Sequence, residues 1–225
     1  MWKGIELDFR YIAGDDFAKY GKKADPHLLQ LVLDRAPHSV GRKVKYTELH
    51  RDEKTAYIKQ SLSFLERAGI LYRVYHSSGN APPLRAERKE RDFKLLFLDT
   101  GLLMRSLGLN LLSLNEENII LANKGALAEQ YVGQQWLYSG ESYVQPELFY
   151  WNRPKPGTTS EVDYLFEIDG RIVPVEVKSG TTGSLKSLHV FTSLKNTIIA
   201  LRFYAGLPTQ TKVNAGIPGM EKQDR

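Results

Sequence analysis

The sequence predicts an α/β protein built as two modules, a helical one first and then a mixed sheet flanked by helices. Three observations carry that expectation. Two segments before residue 70 repeat apolar residues at helical spacing, whereas the second half alternates apolar and polar residues at the strand period of two. Asp169-Gly170, set between two alternating runs, is the sequence of a tight hairpin turn with positive φ. The length of 225 residues suits one or two domains, and 42% hydrophobic with 25% charged residues is the composition of a folded globular chain.

Composition also removes function classes. There are no cysteines, which excludes disulfides, thiolate zinc sites and a cysteine nucleophile together. The five histidines, at 27, 38, 50, 76 and 189, lack the short spacings of a zinc site. No run approaches the ~20 apolar residues of a membrane helix, and the first residues hold no signal-peptide core, so a cytoplasmic protein with no membrane partner is expected. A net charge of +5 permits contact with nucleic acid without marking a patch.

Taken in order, residues 24–36 read as a helix with Pro26 in the first turn and Leu28, Leu29, Val32 and Leu33 on one face. Residues 54–68 form a second helix, striped by Ile58, Leu62 and Leu65 and stopped by Gly69. Ile70–Tyr75 reads as a strand, a polar loop runs through Pro82, Pro83 and RAERKER, and Phe93–Leu98 reads as another strand. Helix, strand, basic loop, strand is the order of a winged-helix module. Arg85, Arg88, Lys89 and Arg91 are then candidate phosphate contacts. The plainer reading is a solvated loop, in which Glu87, Glu90 and Asp92 offset the charge.

The second half begins near Asn115. Residues 117–138 form a helix striped by Leu121, Gly125, Ala128, Val132 and Trp136. Residues 148–151, 161–168 and 171–178 read as strands, 184–195 as a helix with Ser184 as N-cap, and 197–204 as a further strand. From Ala205 the chain turns rich in Gly, Pro and polar residues, the composition of a disordered tail. The expected divisions are a helical or winged-helix module over 1–114, a sheet domain over 115–204 and the tail over 205–225.

The segment EVDYLFEIDGRIVPVEVKSG, residues 161–180, carries the chemistry. With Asp169 and Gly170 as the loop, Ile168 pairs with Arg171, Asp163 lies opposite Glu176, and Glu161 lies opposite Lys178. One face of this hairpin is apolar, with Val162, Tyr164, Phe166, Val173, Val175 and Val177. The other gathers Glu161, Asp163, Glu176 and Lys178. Two carboxylates roughly 5 Å apart repel, and a divalent cation turns that repulsion into attraction. Magnesium suits them, since it takes a few carboxylate oxygens and keeps waters. Lys178 is placed to orient a metal-bound water or to offset developing phosphorane charge, and Glu161 to pair with Lys178. Pro174 donates no ladder hydrogen bond, and a bulge there would shift the register by one.

Asp163 followed by Glu176-Val177-Lys178 resembles the PD-(D/E)xK nuclease-like fold, in which the aspartate and the ExK pair bind metal. That resemblance implies a restriction-endonuclease-like mixed sheet and a further glutamate on a preceding helix, a place that Glu129 in KGALAEQYVGQQ fits. More closely, residues 115–204 look like the domain of unknown function that follows the ATPase in a large bacterial and archaeal family of AAA-type ATPases. NKGALAEQYVGQQ, LFYW, EVDYL and PVEVKSGTTGSLKSLHVF carry the likeness. Residues 15–104 look like the winged-helix region between the two, notably in KVKYTEL and SFLERAGIL.

The resemblance implies a Mg²⁺- or Mn²⁺-dependent phosphodiesterase site acting on DNA. Asp163, Glu176 and Glu129 would be ligands and Lys178 the charge stabiliser. From the residues alone, Lys186 and Lys195 on the last helix are candidates to flank a backbone channel, the plainer reading being lone surface lysines. The resemblance also implies an ATPase domain or subunit acting in trans. The chain has no G-x-x-x-x-G-K-[ST], and the run from Gly14 to Gly21-Lys22-Lys23 has the wrong spacing, so a fragment without ATP hydrolysis is expected. The alternative is a non-catalytic DNA-binding or partner-docking module with a relic metal site.

Overall fold

The computed structural model describes residues 25–109, 121–140, 147–153 and 160–207. The Gly14–Lys23 run, the boundary near Asn115, the start of the 117–138 helix and the tail beyond Leu207 lie outside the described residues. Those residues form six helices and one six-stranded mixed sheet, ordered β2-β1-β3-β4-β5-β6. None of the described helices is long and apolar enough to cross a membrane. Two compact units result. The first takes the described residues up to Arg73 and from Lys94 to 109; the second takes Val74–Phe93 and the described residues from 121 onward.

In the first unit, α1 (Pro26–Arg35) starts where Asp25 accepts a hydrogen bond from the His27 N–H at 2.9 Å, ahead of a proline that has no N–H to satisfy. A short α2 (Tyr46–Leu49) and then α3 (Thr55–Arg67) follow, and Gly69 ends α3 at φ +69°. Leu29, Val32, Leu49, Ile58, Leu62 and Leu65 close their common core. Arg73 grips Glu66 beneath it, its Nε donating to Oε1 at 2.7 Å. A fourth helix, α4 (Thr100–Ser106), has no counterpart in the sequence reading. Asp99 caps it by accepting from the Leu102 N–H at 2.6 Å.

The strands β1 (Leu71–Ser77) and β2 (Arg88–Phe97) come next in sequence after α3. The basic run 88–91 lies in β2 rather than in a loop, five residues earlier than expected. Leu84–Glu87 forms a 3-10 turn before it.

The second unit places β1 parallel to β3 (Leu148–Asn152), pairing Val74 with Leu148 and His76 with Tyr150. Antiparallel β4 (Glu161–Ile168) and β5 (Arg171–Val177) follow, and short β6 (Leu201–Phe203) adds parallel to β5. The hairpin has the expected register, Ile168 with Arg171 through Tyr164 with Val175, around Asp169 at φ +50° and Gly170 at φ +70°. Pro174 pairs with Leu165 without any slip.

Helix α5 (Leu121–Ser139) lays Trp136 flat on Phe166, ring centroids 3.6 Å apart. This parallel stack sits at the helix flank. The residues that point inward are therefore Leu127, Gln130 and Leu137, not the expected stripe, of which Gly125, Ala128, Val132 and Trp136 are half-buried. Helix α6 (Lys186–Lys195) turns Phe191 edge-on to Trp151 at 5.1 Å. Ser184 accepts from the Lys186 N–H at 3.1 Å, one residue outside the cap position proper. Residues 197–200 do not join β6, and Ile198 and Ile199 stay exposed.

Candidate functional site

The bulge that Pro174 threatened lies on the other side of β4. Between the pairs Phe149–Leu165 and Trp151–Val162, β3 advances two residues and β4 three, so Asp163 and Tyr164 together face Tyr150. An extra residue interrupts alternation and re-aims a side chain. That is why the strict two-face pattern read from the sequence does not run through Val162. The β4–β5 ladder ends at Tyr164 with Val175, so Asp163 does not sit in a backbone pair opposite Glu176. Its Oδ2 instead accepts from the Val177 N–H at 2.7 Å. A carboxylate thus replaces a strand carbonyl where the two strands part.

Glu176 is buried, at 5% exposure, and Lys178, the first residue past β5, donates to its Oε1. The ion pair is made within the extended 176–178 segment at the end of β5 rather than across the ladder to Glu161, because residues two apart in extended chain share a face. The Glu161 N–H donates to the Ser187 hydroxyl at 3.3 Å, tying the start of β4 to α6.

Glu129 is half-buried on α5, where its carbonyl accepts from the Tyr164 hydroxyl at 2.8 Å. Burial, reinforced by the Glu129 and Asp163 charges, holds that hydroxyl well above the usual tyrosine range. Glu129 and Asp163 therefore act on one buried hydroxyl. Among the described residues no three acidic or histidine side chains group closely enough to hold a metal. What the structure brings together is Asp163, Glu176 and Lys178. Two carboxylates of oxygen donors are the set that suits Mg²⁺ with retained waters, so the donor chemistry fits, although the Lys178 ammonium already compensates Glu176.

The basic candidates divide. Arg85 pairs with Glu147 at 2.9 Å, and Arg88 pairs with the same carboxylate at 2.8 Å, bonds Glu90 and lies 4.6 Å over the Tyr75 ring. Lys89 and Arg91 are exposed on β2. Lys195 donates to Asn80 Oδ1 at 2.5 Å. Lys186 lines an open cavity of about 620 Å³ with Arg153, Ser184 and His189. Sequence reasoning missed the Tyr164 hydroxyl and the Val177 amide. A hydroxyl on an otherwise wholly apolar strand face was the available signal for the first; nothing in a sequence marks the second.

With this geometry in place, the comparison with known families is informative. Residues 124–215 match the domain of unknown function DUF4143. DUF4143 is found in AAA-ATPase-associated proteins, which supports the ATPase-family part of the resemblance. Here the DUF4143 segment holds Glu129, the β4 bulge, the Glu176–Lys178 pair and α6. Residues 5–113 match a second domain of unknown function, DUF8612. No curated protein and no solved structure matches the chain.

Proposed function

We propose that the DUF4143 segment of this chain carries a metal-dependent phosphodiesterase site that acts on DNA. The observation that carries the reading is the β4 bulge, which turns Asp163 out of the ladder onto β5 beside the buried Glu176–Lys178 pair. Asp163 and Glu176 would hold Mg²⁺ or Mn²⁺. Such an ion supplies Lewis acidity toward a phosphoryl oxygen and lowers the pKa of a bound water. The Val177 amide orients the Asp163 carboxylate. Lys178, 28% exposed at its side chain, pairs with Glu176 and presents a positive charge toward solvent, where a phosphoryl group gaining negative charge would meet it. Tyr164 anchors α5 to β4 through the Glu129 carbonyl, and Glu129 adds negative charge at that anchor.

The test is cleavage of labelled single-stranded, duplex and branched DNA with Mg²⁺ or Mn²⁺ by the native chain and by Asp163→Ala. Cutting that disappears in the variant supports the reading. Absence of both cutting and calorimetric metal binding in the native chain refutes it.

One observation favours a second reading, a non-catalytic DNA-binding or partner-docking module. The Lys178 ammonium already bonds Oε1 of Glu176, as expected of a site whose metal has been replaced by an ammonium. That reading predicts DNA affinity that falls with salt and is indifferent to metal and to Lys178→Ala.

A further inference from the structure

Between the end of β3 and α6 lies the open cavity of about 620 Å³, whose lining includes Arg153, Lys186, His189 and the hydroxyls of Ser184 and Ser193. Among the described residues no acidic side chain lines it. The Arg153 N–H donates to the Ser160 carbonyl at 2.9 Å, which carries the β3–β4 ladder one step past the Asn152–Glu161 pair and fixes where the side chain starts. That side chain is half-buried and meets no acceptor among the described residues. Arg73 and Arg88, also half-buried, are met by Glu66 and Glu147. Lys186 and His189, three residues apart, share one face of α6. Both are exposed, and neither side chain has a partner among the described residues.

A guanidinium and an ammonium thus face one cavity with no counter-charge on its walls. They repel, and an anion set between them turns the sum attractive. The imidazole and the hydroxyls add further donors. A phosphate suits this set, because its oxygens can take a forked guanidinium and a compact ammonium at once. Sites for small ligands enclose most of the ligand's surface, whereas an open cavity suits a strand that passes through it.

The cavity also adjoins the Glu176–Lys178 pair. Gly183, the residue before Ser184, runs so close to Lys178 that an added Cβ would stand 2.8 Å from Lys178 Cδ. The Glu161 N–H bonds Ser187 in the first turn of α6. A strand with one phosphate at Lys178 therefore has the cavity beside it. Lys195, at the other end of α6, donates to Asn80 and lines a different cavity.

We propose that this cavity is a phosphate subsite flanking the candidate metal site, where Arg153 and Lys186 bind a backbone phosphate of a nucleic-acid strand and His189 adds a donor. The inference rests on the phosphodiesterase reading for its choice of anion, but the contact itself needs no metal. Such contacts position the strand and read no base.

The test is fluorescence anisotropy of short labelled single-stranded and duplex DNA in EDTA, over a range of salt. Arg153→Gln and Lys186→Gln should each weaken binding about fivefold and lower the slope of log affinity against log salt by about one. Arg171→Gln, at the far end of β5, removes the same charge away from the cavity and should leave the slope unchanged. Lys186 is exposed, so Lys186→Gln keeps the test decisive should Arg153→Gln not fold. An unchanged slope in either folded variant overturns the proposal, and so does an equal fall with Arg171→Gln, which would make the loss one of overall charge. Unchanged slopes together with a Tm rise from inorganic phosphate that Arg153→Gln abolishes assign the cavity to a small phosphate compound instead. Slopes that fall as stated in a chain that neither binds Mn²⁺ nor cuts DNA uphold the subsite and sink only the phosphodiesterase reading.

Discussion

Replacing Lys178 by Met removes the ammonium from Glu176 while keeping most of the stem that packs beside it. Glu176 is 5% exposed and Lys178 28% exposed at its side chain, so the pair is largely but not wholly shielded from water. Taking one partner from a fully buried pair costs about 3–5 kcal/mol, because the other charge stays buried. Partial exposure of Lys178 scales this to roughly 1–3 kcal/mol. For a chain of this length that is a fall in Tm of about 3–10 °C.

The same substitution has a second consequence of opposite sign. The ammonium and a divalent ion compete for one carboxylate, so Lys178→Met should bind Mn²⁺ several-fold more tightly than the native chain while losing any cleavage. Thermal denaturation with and without Mn²⁺ reads both effects, since a ligand that binds only the folded chain raises Tm. A variant that melts within about 1 °C of the native chain and shows no added Mn²⁺ stabilisation would refute the reasoning. Glu176 would then be compensated by something other than Lys178.

Other substitutions test the scaffold. Trp136→Ala removes the stack on Phe166 and should cost about 2–4 kcal/mol in urea unfolding. Gly79→Ala is strained twice: φ is +64°, and the added Cβ would stand 3.0 Å from Leu165 Cδ1 and 3.1 Å from Phe191 Cζ. A loss of about 1–3 kcal/mol is expected from the same measurement. Tyr164 and Tyr150 are both held above the usual tyrosine range, Tyr150 by burial and by its bond to Asp92 at 2.5 Å. The folded chain therefore keeps protons that the unfolded chain loses near pH 10, so stability is full below about pH 10 and falls as pH rises beyond it. Denaturation midpoints at about pH 9 and about pH 11 should show that fall, and it should shrink in Tyr150→Phe.

The hairpin was legible because its determinants are local. Asp169-Gly170 fixes the turn, the turn fixes the register, and the register carries Glu176 and Lys178 to the end of β5. The bulge at Asp163 was not legible, since it arises from β3 on the far side of β4, and no spacing within residues 161–180 records that neighbour. The same cause displaced the α5 stripe. Gln130 is inside because Trp136 lies flat on Phe166, a contact between residues thirty apart. Strand β2 was read as too short because its charged first half looks like a loop until Arg88 is seen holding Glu147. Residues 197–204 read as one strand, with Arg202 its single charge. Its place beside Glu176 exists only once β6 adds parallel to β5.

The parallel pair of β1 with β3 sets a timetable for the growing chain. Val74 leaves the ribosome about 74 residues ahead of its partner Leu148, a lag of roughly 4–15 s at 5–20 residues per second. Until then β1 has β2 on one side and an open row of amides and carbonyls on the other, next to the apolar Val74 and Tyr75. A chain whose synthesis stalls before β3 is released with that edge open, and so is one cut between the two matched segments. Nascent copies can then pair with each other along it before the sheet is complete.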